Sequence, residues 1–133
     1  MGSSEADVKS SGARRAWGVA LWVLIVLDAL MMGVAGWAKF GPAASWWAEQ
    51  FAGWGYPSGF SRVTGGLELG LAVLMLVPRW ASYAAIGLIV VMTGALGTVV
   101  MNPGRLGPGA PLMHLAVLAV IVWGRWGRRQ ASM

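Results

Sequence analysis

The residue types in this chain that could do chemistry are few, and they lie inside or beside apolar runs. Glu68 is the only ionisable side chain in "TGGLELGLAVLMLVP", residues 64–78. Asp28 lies within the first apolar run of the chain, Lys39 follows that run, and His114 is the only histidine. Carboxylate, ammonium and imidazole groups exchange protons or form ion pairs. These four residues are therefore the candidates for a polar site.

Composition places these residues in a membrane protein. The chain has 133 residues, of which 57% are hydrophobic and 11% are charged, and its mean hydropathy of +0.64 lies outside the range of ordinary soluble domains. It has no Cys, which excludes thiolate metal sites and a dithiol electron carrier within the chain. The net charge of +5 is placed at the ends of apolar runs, so we expect no nucleic-acid partner.

Four apolar segments predict an all-α integral membrane protein, a four-helix up-down-up-down bundle. The predicted spans cover residues 17–39, 61–77, 80–101 and 111–126. Together they form one membrane domain, 17–126, between a flexible N-terminal tail, 1–16, and a C-terminal tail, 127–133. Arg14 and Arg15 before the first run also resemble the start of a cleavable signal peptide, but the length of the run and Asp28 within it favour a membrane helix.

The basic residues predict the orientation. Seven of the ten Lys and Arg residues fall on one side of this arrangement: Lys9, Arg14, Arg15, Arg79, Arg125, Arg128 and Arg129. The other three, Lys39, Arg62 and Arg105, fall on the opposite side. By the positive-inside rule both termini lie in the cytoplasm.

The loop between the first two spans, "GPAASWWAEQFAGWGYPSGFSR", is too polar to cross a bilayer and rich in aromatic residues. It predicts a short interfacial helix over Ala43 to Ala52 on the outer side, with Glu49 turned to water. Its Trp residues, Trp47 and Trp54 among them, either anchor the segment in the interface or cover a ligand as a lid. The anchor is the simpler interpretation.

Helical spacing brings part of the polar set to one level. Glu68 lies ~10 Å below the outer end of its helix, and Lys39 lies at the outer end of the first helix, within reach of that carboxylate. His114 begins the fourth helix at a similar level. This predicts a polar pocket in the outer half of the bundle, with Arg62, Trp47 and Trp54 at its mouth.

Structural explanations of the same residues stay open. Glu68 could pair with Lys39 only to hold two helices in register, or it could be a protonated acid. His114 could be a hydrogen-bonded residue at a helix start. Asp28 lies near the middle of the membrane, ~16 Å from Lys39 along the helix, with no evident basic partner. It is either neutral and hydrogen-bonded, proton-linked, or turned toward another subunit.

The sequence resembles the DoxX family of small four-span membrane proteins. The resemblance is carried by "GVAGWAKF" (33–40), by the aromatic loop ending in "GWGYP", and by "GGLELGLAVLMLVPRWASYAAIGLIVVMTGA" (65–95). It implies a four-helix bundle and, by analogy, a link to the small subunit of thiosulfate:quinone oxidoreductase and to oxidant-defence complexes. Lys39 and Glu68 are the two positions that the resemblance carries over as a polar signature.

Two functions are therefore expected. In the first, the chain is a non-catalytic membrane subunit of a respiratory or oxidant-defence redox complex, anchoring partner subunits and providing a quinone-accessible pocket. Quinone would be its one candidate cofactor, bound without a covalent bond. In the second, the chain is an assembly and anchoring protein, a homo-oligomer or a small-solute permeation element, without quinone. The chain is not expected to be an enzyme by itself.

Overall fold

The computed structural model describes residues 2–103 and 106–132, and the side chains of residues 5, 8–103 and 106–127. Within those residues the chain is all-helical and contains no strand. Five helices follow one another: α1 (Gly2–Ala38), α2 (Ala44–Gly53), α3 (Phe60–Met75), α4 (Ala81–Met101) and α5 (Gly109–Ser132). The fold class predicted from composition is confirmed at this level.

The long helices pack in the order α1, α3, α4, α5, and α5 returns to α1. Each turns one stripe of residues inward, because residues three and four apart lie on the same helix face. In α3 the buried stripe is Ser61, Gly65, Glu68, Ala72 and Met75. The shared core is apolar and draws on all four helices, with Ile25, Met32, Leu88, Leu118 and Ile121 among its members.

The outward faces of these helices are apolar as well. Val23, Leu30, Val63, Val90 and Trp123 are each more than half exposed. A soluble domain seldom exposes so many large apolar side chains, whereas a lipid-facing surface requires them. Three helical segments are long and apolar enough to cross a membrane: Val8–Ala38, Ala81–Met101 and Gly109–Gly127. The chain is therefore a membrane protein in composition and in surface.

The helix over the second predicted span, α3, is short for a membrane helix. Helix α3 has 16 residues, which at 1.5 Å per residue is ~24 Å, against a hydrocarbon layer of ~30 Å. It ends at Met75, three residues before Pro78. The residue before a proline is sterically disfavoured in the α region, so Val77 cannot readily extend the helix. The chain turns through residues 76–80 into α4 instead.

The N-terminal tail also differs from the prediction. Residues 2–16 are helical and continue into the first span as one helix of 37 residues. This segment contains no Pro, and its Ala, Lys, Arg and Glu residues favour helix. The described side chains of this segment are all exposed, so it makes no part of the core.

The loop helix agrees with the sequence to within one residue at each end. Helix α2 packs against α3, and Glu49 on it is exposed as predicted. Two glycines with positive φ, Gly55 and Gly59, turn the chain from α2 into α3. Only glycine adopts such a conformation readily, so these two positions direct α2 back over the start of α3.

Candidate functional site

Lys39 and Glu68 form a buried ion pair between α1 and α3. The Lys39 Nζ lies 3.2 Å from Glu68 Oε1 and 3.1 Å from Oε2, and both side chains are 5% exposed. Nζ also donates to the Ala35 carbonyl at 3.3 Å. The three donors of the ammonium group are thus matched by three oxygens. The reach from Lys39 to Glu68 predicted by helical spacing is confirmed.

Two glycines bring the helices close enough for this pair. A Cβ on Gly36 would lie 2.7 Å from the Gly65 carbonyl oxygen, and a Cβ on Gly65 would lie 2.8 Å from the Gly36 carbonyl oxygen. Neither backbone could tolerate a side chain there without moving. Small residues permit such contact between membrane helices. The face of α3 that carries Gly65 and Glu68 is therefore the face that meets α1.

The aromatic residues of the first loop cover the pair. The Lys39 ammonium lies 4.3 Å from the centroid of the Trp47 ring, a cation–π contact. Trp47 belongs to an aromatic cluster around the buried Phe51, whose other members are Trp46, Trp54, Tyr56 and Phe60. Tyr56 is hydrogen bonded to Thr98 of α4, which fixes the cluster to the main helix assembly.

Asp28 and His114 form a second buried pair, between α1 and α5. His114 Nδ1 lies 2.6 Å from Asp28 Oδ1, and the residues are 7% and 3% exposed. The expectation that Asp28 has no basic partner is wrong. Both residues lie on core-facing stripes, Asp28 with Ile25 and Met32 and His114 with Leu118. That shared orientation was the signal in the sequence which could have paired them.

The predicted pocket is thus only partly assembled. His114 lies close enough to Glu68 for an electrostatic interaction, yet its hydrogen bond goes to Asp28. Trp54 lies in the aromatic cluster, with its ring 5.3 Å from Phe51 and its buried Nε1 without a partner. Arg62 is exposed, and none of the described side-chain hydrogen bonds or ion pairs involves its guanidinium group. Arg105 lies outside the described residues.

The arrangement places charge and exchangeable protons in the helix interior. Among the described residues no group of three or more His, Cys, Asp or Glu side chains could hold a metal ion. What the site offers is two acid–base pairs in an apolar surround, where unpaired charge is strongly disfavoured and pairing is obligatory. Any ligand of Lys39 or Glu68 must displace Trp47 or one member of the pair.

Comparison with known proteins adds the family. The sequence profile of the DoxX-like family matches residues 23–123, well over half of the chain. Neither the curated proteins nor the solved structures contain a significant match. The matched region contains both buried pairs and the aromatic loop. The chain therefore belongs to the DoxX-like family.

Proposed function

We propose that the protein is a small non-catalytic membrane subunit of a respiratory or oxidant-defence redox complex, anchoring partner subunits and offering a quinone-accessible polar pocket. The observation that carries the proposal is the Lys39–Glu68 pair beneath Trp47. The ammonium group of Lys39 and the carboxylate of Glu68 are suited to bind a quinone carbonyl. They can also exchange the proton that this oxygen carries in the reduced, quinol form. The two buried acid–base pairs and the family membership support the proposal.

The proposal includes a topology. Helix α3 also crosses the membrane, which with α1, α4 and α5 makes four membrane helices. It packs between α1 and α4, and it exposes the apolar side chains of Val63, Leu67 and Val73. Its shortfall in length is accommodated by local thinning of the bilayer and by snorkelling of Arg62. Helix α2 lies in the interface, and both termini are cytoplasmic in the plasma membrane.

Cysteine scanning tests this topology cleanly because the chain has no native Cys. Single substitutions at Ser10 and Arg79 should be labelled from the cytoplasmic side by a membrane-impermeant thiol reagent. Substitutions at Ser58 and Gly107 should be labelled from the opposite side. If Arg79 and Gly107 were labelled from the same side, α4 would not cross the membrane and the topology would be wrong.

The role as a subunit is tested by native purification. Tagged protein extracted from its own membrane in a mild detergent should co-purify with redox-enzyme subunits, identified by mass spectrometry, and with a lipid quinone. The double variant K39M/E68Q should keep the subunits and lose most of the quinone. The matched control T93V removes a polar group that bonds only its own helix, at the Ile89 carbonyl, and should retain both.

A second candidate function has its own observation in its favour. The Lys39–Glu68 pair is fully satisfied within the protein, as expected of a pair that only fixes α1 against α3. The chain would then be an assembly and anchoring protein with no quinone role. Purification as a homo-oligomer that carries no redox subunit would support this function and exclude the first.

A further inference from the structure

The two buried pairs differ in the hydrogen-bonding capacity they leave unused. Lys39 and Glu68 satisfy one another, with the Ala35 carbonyl and the Trp47 ring completing the surround of the ammonium group. Asp28 uses only Oδ1. Its other oxygen, Oδ2, is buried, and no described side-chain or backbone group donates to it. A buried carboxylate oxygen without a donor is strongly unfavourable, more so than a neutral acceptor.

The position of this oxygen suggests what could reach it. Asp28 and His114 join α1 to α5, and α1 contacts α5 much less extensively than it contacts α3. Near the other end of this interface the helices are tight, because a Cβ on Gly124 would lie 2.7 Å from Leu21 Cδ2. We call the line of contact between α1 and α5 the α1–α5 seam. The two helices are therefore held together at Gly124 and at the Asp28–His114 pair. Because Asp28 and His114 are buried, a molecule dissolved in the lipid reaches them only where α1 and α5 separate.

The chemistry of the site limits the ligand. With His114 Nδ1–H donating to Oδ1, Asp28 Oδ2 remains as an acceptor with both lone pairs. The groups around the pair are apolar members of the core, such as Ile25 and Met32 of α1 and Leu118 of α5. The other charged groups in the helix interior, Lys39 and Glu68, are engaged with each other. A matching ligand is apolar over most of its surface and supplies one hydroxyl donor.

We infer that Asp28 Oδ2 is the acceptor of a binding site for a lipid-soluble, hydroxyl-bearing molecule that enters through the α1–α5 seam. His114 is a positioning residue in this site, since it fixes the carboxylate through Oδ1 and leaves Oδ2 for the ligand. The site is separate from the Lys39–Glu68 pair and requires neither a redox partner nor a quinone.

The single histidine makes the test specific. Protein labelled with isotopic nitrogen only in histidine gives the signals of His114 alone, in purified chain reconstituted in nanodiscs. Titration with para-hexylphenol should shift these signals saturably. The methyl ether of the same phenol has nearly the same shape but no donor, and we expect it to bind at least about tenfold more weakly, the loss that accompanies one hydrogen bond to a charged group.

Variants separate this site from general partitioning into lipid. The variant D28L, checked for folding by circular dichroism and gel filtration, should lose the saturable response, and D28N should weaken it. The variant T93V, which removes a hydroxyl that bonds only to the Ile89 carbonyl of its own helix, should respond as the wild type does. Equal responses to the phenol and its ether, no saturable response to the phenol, or an unchanged response in D28L would each overturn the inference. None of these outcomes bears on co-purification with redox subunits, which tests the proposed function alone.

Discussion

The α1–α3 and α1–α5 interfaces each contain one buried acid–base pair, yet they are built differently. At α1–α3, Gly36 and Gly65 bring the backbones into contact and the ion pair beside them has every donor matched. At α1–α5 the contact is less extensive and Asp28 keeps one oxygen without a donor. A buried pair is thus no sign of function by itself, because what it leaves unsatisfied decides whether it can bind anything else.

The largest expected effect comes from crowding the tight interface. The variant G36A places a Cβ 2.7 Å from the Gly65 carbonyl oxygen and 2.8 Å from the Leu69 backbone nitrogen, so the helices must separate. We expect a loss of several kcal/mol, roughly 2 to 4, in the free energy of unfolding, measured in mixed micelles.

The control for this variant is G70A on the facing helix α3. A Cβ there would meet nothing within 4 Å, so its free energy of unfolding should stay within about 0.5 kcal/mol of the wild type. Comparable losses in the two variants would show that α1 and α3 do not pack as closely as the structure indicates.

Removing one partner of the Lys39–Glu68 ion pair should have the next largest effect on stability. The variant K39M leaves the Glu68 carboxylate buried and unpaired, for which we expect a loss of about 3 kcal/mol in stability. The double variant K39M/E68L should recover most of it, because an apolar pair of similar volume replaces the ions. A double-mutant cycle measures the coupling, and additive losses would contradict a direct interaction.

Substitution in the Asp28–His114 pair should have a smaller effect on stability. In D28L the substitution removes a hydrogen bond to His114, but it also removes the oxygen that has no donor. The two effects oppose each other, so we expect a loss of about 1 kcal/mol or less in the free energy of unfolding. A loss as large as that of K39M would mean that the two interfaces do not differ in the way proposed.

The smallest effect is expected at the edge of the assembly. Arg125 of α5 donates from Nη2 to the Pro78 carbonyl at 2.8 Å, and its guanidinium lies 5.3 Å from the centroid of the Trp22 ring. Because the side chain is only half-buried, R125M should lower stability by about 0.5 to 1 kcal/mol. Thermal unfolding of R125M beside R125K would detect the difference.

Much of this could be predicted from the sequence, and the reasons are physical. Apolar length marks a membrane helix, so both ends of α4 were predicted within one residue, whereas α1 begins at Gly2 instead of at residue 17. Helical spacing placed Glu68 within reach of Lys39. Lys39 follows the end of α1, Glu68 lies ~10 Å below the facing end of α3, and the Lys side chain is long enough to span the difference. Small residues at Gly36 and Gly65 are likewise visible in the sequence and explain why α1 and α3 approach so closely.

The rest depends on contacts that no single helix determines. The sequence places Asp28 and His114 on core-facing stripes, but that α5 packs against α1 is set by the assembly and not by any local pattern. The early end of α3 follows from the turn before Pro78 rather than from hydropathy. The cation–π contact of Trp47 needs the turn at Gly55 and Gly59 to fold the loop back over α3.

Helix α1 runs without a break for 37 residues, which at 1.5 Å per residue is ~55 Å, and only ~30 Å of that length is needed to cross the hydrocarbon layer. The remaining turns project as a rigid arm of roughly 20 Å from the membrane. Asp28 lies further along the same helix, within its apolar segment, so any tilt of α1 that moves it away from α5 also moves the arm. A tilt of about 10° displaces the arm's end by roughly 3 to 4 Å. Binding at the Asp28 site inferred above would then displace the end of this arm at the membrane surface.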